Sequence, residues 1–171
     1  MDLKTYLIES EKTIGENNST AYLILGLVNE AGELLTPIKR ALHHKQELDT
    51  KNIKEELCDM WWHTAGLIRD VEIFIDTEKL EKFFDNAIKE FEVINSLESA
   101  KVSVFRIIRC ALDFEQDGEI DVLIALLGGM IALSIELGYP DYRQLFDANI
   151  EKLRARHGEK YSQEFYDNRV N

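Results

Sequence analysis

Apolar residues recur every three to four positions along almost all of this chain, and that spacing predicts helices rather than strands. Residues 3–14 (LKTYLIESEKTI) read as a first amphipathic helix. GENNS interrupts it, and Ser19 offers an N-cap for the next. Residues 20–44 then carry Leu23, Leu27, Leu34, Ile38 and Ala41 on one stripe. Pro37 lies inside that pattern and cannot donate to the carbonyl of Glu33, so a kink or widened turn is expected there. After the polar connection HHKQELDTK, a helix over 53–72 has Ile53, Leu57, Met60, Trp61, Leu67 and Ile68 on its apolar side. Asn52 with Glu55 three residues on reads as a capping-box-like start. Asp76 or Thr77 opens a helix reaching about 97, and further helical patterns follow at 100–114, 119–137 and 141–156. The polar and aromatic tail, HGEKYSQEFYDNRVN, reads as a short helix or arm. The expected fold is all-α: an antiparallel helix bundle forming one domain over 1–171.

Two echoes suggest a degenerate internal repeat with halves 1–97 and 98–171. Ile38-Lys-Arg-Ala-Leu42 resembles Ile108-Arg-Cys-Ala-Leu112, and Asn86-x-x-Lys89 resembles Asn149-x-x-Lys152. In that register Ala100 and Ser103 stand where the first half has Glu30 and Glu33, so one half would carry chemistry and the other would be structural.

Composition narrows the class. With 45% hydrophobic residues the chain can build a packed core, and its two prolines and nine glycines leave little room for β-turns or long loops. A net charge of −12 argues against a nucleic-acid polymer as partner, although metal ions could still bring a polyanion to an acidic chain. The apolar run Val122 to Ile135 is too short to span a bilayer, and the charged N-terminus is no signal peptide. Cys58 and Cys110 form neither a disulfide framework nor a metal pattern, which suits a cytoplasmic protein.

The candidate chemistry sits at Glu30-x-x-Glu33 and Glu56-x-x-Asp59. Such pairs occur on many solvated helix faces. Here, at about 100° per residue, Glu30 points with Leu23, Leu34 and Ala41, and Glu56 points with Ile53, Met60 and Leu67. Glu33 and Asp59 each lie about 60° to one side of their partner. A solvated face would put the acids opposite the leucines. Carboxylates at the rim of a core are costly unless paired or bound to a cation, and four oxygen donors in one pocket suit Mg²⁺ or Mn²⁺. Glu55, about 100° from Glu56, reads as outward-facing.

Glu30-Ala-Gly-Glu33, the spacer, and Glu55-Glu56-Leu-Cys-Asp59-Met-Trp-Trp together resemble the MazG-like all-α nucleoside triphosphate pyrophosphohydrolase superfamily, which is also related to dimeric dUTPases. The segment Asn149-Ile-Glu-Lys152-Leu-Arg154-Ala-Arg156-His157-Gly158-Glu-Lys160-Tyr161 looks like the one that follows the acid helices there. The resemblance covers residues 20–68 and 145–162 and is poor over 90–140. It implies Mg²⁺-dependent hydrolysis of a nucleoside triphosphate to monophosphate and pyrophosphate, in nucleotide-pool housecleaning, by a homodimer. It places Glu30, Glu33, Glu56 and Asp59 as metal ligands and Asn149, Lys152, Arg156 and Lys160 against sugar or phosphate. Glu33 or Glu56 could then act as proton acceptor. Which Asn-x-x-Lys copy lines the site stays open at this level.

Other residues read more plainly. His43-His44 is a solvated loop pair, Trp61 and Trp62 are core or interface, His63 packs at the pocket rim or touches substrate, and Gly128-Gly129 permits close helix packing. There is no G-x-x-x-x-G-K-[ST] phosphate loop. The competing reading is a catalytically degenerate helical bundle with an interaction or regulatory role.

Overall fold

Short polar side chains set where the helices begin, because they accept from backbone N–H groups that have no partner within the first turn. In the computed structural model, Asp2 accepts from Thr5 N at 2.7 Å, Ser19 from Tyr22 N at 3.2 Å and Asp49 from Asn52 N at 3.0 Å. Asp76 accepts from Lys79 N and Ser96 from Ser99 N, both at 3.1 Å. The structure describes residues 1–14, 18–71, 76–90 and 96–157. Among them run α1 (Leu3–Glu11), α2 (Thr20–His44), α3 (Thr50–Asp70), α4 (Thr77–Glu90), α5 (Leu97–Asp117), α6 (Ile120–Glu136) and α7 (Arg143–His157). The protein is an all-α helical bundle, and the described residues contain no strand.

Several boundaries differ from the sequence expectation, and α1 ends at Glu11 rather than at residue 14. The cap of α3 is Asp49, so the helix starts at Thr50. Asn52 is therefore already helical, and Glu55 is not its cap partner; Glu55 is exposed and faces Lys51 at 4.0 Å. α5 extends from the Ser96 cap to a left-handed Gly118 (φ 66°), well beyond 100–114. Pro37 is buried within α2, which continues through it to His44. The expected far end of the fourth helix, residue 72 of the third and the tail from 158, with Lys160, lie outside the described residues.

Two hairpins make the centre. α2 packs along α3, α5 along α6, and α2 lies against α5. Both hairpins are antiparallel: His63, late in α3, meets Gly26, early in α2, while Glu136, late in α6, accepts from Ser99, early in α5. Gly129 faces Ile107 closely, where an added Cβ would sit 3.0 Å from its side chain; Gly128 has open space. Ala100 and Ser103 are both buried, at the same offset from Glu30 and Glu33 that separates Ile120 from Thr50.

α1 and α7 close over α3 through an aromatic group. Tyr6 stacks on Phe146 at 4.1 Å between centroids, and Trp61 meets Phe146 edge-on at 5.0 Å. Trp61, fully buried, donates from Nε1 to Ser134 of α6 at 3.2 Å. Arg143 of α7 pairs with Glu81 and Asp85 of α4, at 2.9 and 2.7 Å. No helix among the described residues is long and apolar enough to cross a membrane.

Candidate metal centre

The α2–α3 seam carries the acids. Glu56 is buried at 7% exposure, Glu30 and Asp59 are half-buried, and Glu33 is exposed. Glu56, aligned with the leucines, is the deepest of the four and Glu33 the most exposed, while Glu30 and Asp59 are alike in being half-buried. Glu30, Glu33 and Glu56 each present an oxygen, and these oxygens all lie within 4.8 Å of one another. Like charges this close raise each other's pKa. Burial first, then a hydrogen bond to Glu56, then the charges of Asp59, Glu33 and Glu56 push Glu30 up to about 7. Burial and the Glu33 charge also raise Glu56, against hydrogen bonds from Glu30 and Asn52 that lower it.

Two asparagines hold the cluster's shape. Asn52 Nδ2 donates to Glu56 at 2.6 Å, and Asn29 Nδ2 donates to Glu33 at 2.9 Å. Each asparagine stands four residues before its glutamate, the spacing at which helical side chains meet. Neither was singled out as a site residue from sequence, although that repeated offset was a readable signal.

Asp59 is outside the set of three oxygens within 4.8 Å, although its charge acts on Glu30 and Glu56. Lys152, reaching across from α7, pairs with its Oδ1. Asn149 Nδ2 donates to the Cys58 carbonyl at 3.0 Å and reaches the same Asp59 oxygen at 3.5 Å. Its Oδ1 accepts from Tyr6 at 3.0 Å. Asn149 is fully buried in this frame. The sequence expectation puts Asn149 against sugar or phosphate; here its amide hydrogen-bonds to α1 and α3 and lies against Asp59. Lys152 is half-buried beside the acids, whereas Arg156 is exposed on the last turn of α7. The other Asn-x-x-Lys copy is remote in packing: Asn86 and Lys89 are exposed on α4, which packs on α1 and α6.

One turn beyond Asp59 the seam closes around His63. Burial pushes its pKa down to about 4, so the ring is neutral at neutral pH, and its Nδ1 has no hydrogen-bond partner among the described residues. Trp62 lies edge-on to it at 4.9 Å and donates from Nε1 to Thr13 at 2.9 Å. Trp61 is core, as the sequence suggests.

The donor set fits a hard divalent cation. It consists of three converging carboxylate oxygens, two of them oriented by neighbouring amides, with no thiol or imidazole among them. Fold and seam together define a helical bundle with an acidic cluster between antiparallel helices. No family model matches the chain, and no solved structure matches it. A curated relative, the Gene 37 protein of Mycobacterium phage L5, is 31% identical over 61 residues. The match covers 33% of this chain and 54% of that protein, so the chain spans about half the length of the relative it matches.

Proposed function

We propose that this protein is a Mg²⁺-dependent nucleoside triphosphate pyrophosphohydrolase of the MazG-like kind, releasing pyrophosphate and a monophosphate. The observation that carries the reading is the convergence of Glu30, Glu33 and Glu56 within 4.8 Å on a half-buried seam. That arrangement is costly without a cation and well suited to one. The sequence resemblance supplies the reaction; the geometry supports a place for the ion.

On this reading Glu30, Glu33 and Glu56 hold Mg²⁺ or Mn²⁺, and Asp59 stands next to them. A bound ion would neutralise phosphate oxygens and make a coordinated water more acidic. Glu33, the exposed member, is reachable by water and takes the proton; Asn29 keeps its carboxylate aimed. Glu56, buried and held by Asn52, keeps the donor set in register and is the second candidate acceptor. Lys152, and Arg156 at the helix end, answer phosphate charge. Catalysis by such a site is mainly positioning and electrostatics, with no covalent nucleophile.

The test is pyrophosphate release across the common NTPs and dNTPs plus dUTP, with Mg²⁺ and with Mn²⁺. Turnover of at least one substrate, lost on chelation and reduced at least about 100-fold by Glu33→Gln, is expected. Equal turnover by the Glu33→Gln protein would sink the assignment. A silent bundle is the alternative that the Lys152–Asp59 pair and the Glu30–Glu56 hydrogen bond favour, since both relieve acid repulsion without an ion. Calorimetry would then find no nucleotide-dependent metal binding.

We further propose a homodimer. Support comes from large apolar side chains left exposed on two helices that pack together: Tyr22 and Leu25 of α2, and Val102, Phe105 and Leu112 of α5.

A further inference from the structure

Lys152 bears on the order in which the acidic seam fills. Its side chain is only 19% exposed, and its ammonium lies on Asp59 Oδ1 rather than in water. Asp59 is meanwhile steadied from behind, since Asn149 reaches the same oxygen and is itself fixed by Tyr6 and the Cys58 carbonyl. The three glutamates converge without Asp59. The cluster is thus divided: three carboxylates have hydrogen bonds from one another or from asparagines, and the fourth has a cation supplied by the protein.

We propose that Lys152 is an internal counter-ion that withholds Asp59 from the divalent cation until a tetrahedral anion draws the ammonium away. This rests on the cation reading given above and adds its order: a first divalent ion settles on Glu30, Glu33 and Glu56, and Asp59 joins only after Lys152 has turned to a phosphate group. A lysine suits the part. Its ammonium is a compact charge on a flexible four-carbon stem, so it can exchange one oxyanion for another with little cost to the helix that carries it. A divalent ion on the glutamates repels the ammonium, and a phosphate dianion attracts it more strongly than a single carboxylate does. Ion and anion therefore strengthen each other's binding through Lys152, and such coupling is reciprocal. Asn149 and Tyr6 are what keep Asp59 in place while its partner changes.

The experiment measures Mn²⁺ binding by the full chain, from the paramagnetic signal of the free ion. It is run without added anion and then with sulfate, a tetrahedral dianion that chelates Mn²⁺ weakly, at ionic strength matched with chloride. Sulfate should tighten Mn²⁺ binding by wild type about tenfold, within the usual span of linked sites. Lys152→Met should bind Mn²⁺ alone about as tightly as wild type does with sulfate, and should gain nothing from sulfate. Lys152→Arg should keep part of the gain. Asp59→Asn, which leaves the lysine in place, should bind the first ion within about twofold of wild type and also gain nothing from sulfate. If Lys152→Met binds Mn²⁺ alone no better than wild type, or Asp59→Asn loses binding altogether, the withholding role is wrong. If neither wild type nor Lys152→Met takes up Mn²⁺, it is the cation site itself that fails, and the inference goes with it.

Discussion

Glu30 is where burial and repulsion are concentrated in one group. Its pKa rises from the ordinary 4.5 to about 7, so between those values the folded chain holds a proton that the unfolded chain has released. Stability contributed by this group is full below pH 4.5 and is lost as pH climbs through 7. His63 works in the opposite sense. Its pKa falls from 6.5 to about 4, so its contribution is full above 6.5 and is lost as pH drops through 4. The two slopes oppose each other over most of that range, and a melting profile of the metal-free wild type hides both. Glu30→Gln keeps a donor toward Glu56 and removes the titration. Its melting temperature should exceed that of metal-free wild type by an amount that grows between pH 5 and about pH 7.5, while Mn²⁺ should stabilise wild type but not the variant. A constant difference across that range would show that Glu30 does not titrate there. The inward direction of Glu30 and Glu56 was legible in the sequence, because leucines at known angles fix which side of a helix is dry. The Lys152–Asp59 pair was not legible: it joins α7 to α3, and no periodicity relates residues that meet only through packing.

At the scale of elements, the α2–α3 seam depends on a missing side chain. A Cβ on Gly26 would lie 2.0 Å from Cε1 and 2.4 Å from Nε2 of His63, so the imidazole fills the space that any larger residue would need. The ring has little freedom to yield, being buried and set edge-on to Trp62. Gly26→Ala should cost about 1–3 kcal/mol, which at this chain length lowers the melting temperature by roughly 2–12 °C. Adding His63→Ala to Gly26→Ala should recover part of that loss, since the two changes share one volume. A double variant no better than the sum of the single effects would contradict the contact. Helix positions were readable from apolar spacing, the Ser19 cap was readable as well, and Asp76 was one of two openers that the sequence offered for α4. The start of α3 was misplaced because Asp49 and Asn52 are both good capping residues three positions apart. Only the fold shows that Asn52 is used by Glu56.

For the whole molecule, a net charge of −12 and an exposed apolar set on α2 and α5 pull in different directions. Charge keeps copies apart, while Leu25 at 71% exposure and Phe105 at 54% reward bringing them together. Light scattering on the eluting protein should give the mass of a dimer for wild type, and of a monomer with unchanged helical signal for Leu25→Glu combined with Phe105→Glu. A monomeric wild type at tens of micromolar would remove the dimer proposal. The bundle class was plain from composition and periodicity. The arrangement of two hairpins closed by α1 and α7 was not, because it is held by Tyr6 and Trp61 against Tyr142 and Phe146, which lie far from them in the chain.

The two asparagines that aim the glutamates bear on how distant relatives can be recognised. Four acids at helical spacing are a thin signature, easily lost among ordinary charged helices. Asn29 before Glu33 and Asn52 before Glu56 double the pattern at a shared offset and give each half a direction along its helix. A diverged chain that keeps both asparagine–glutamate steps has kept the means of orienting its carboxylates. One that keeps the acids and loses both steps has kept only charge, without the means of aiming it.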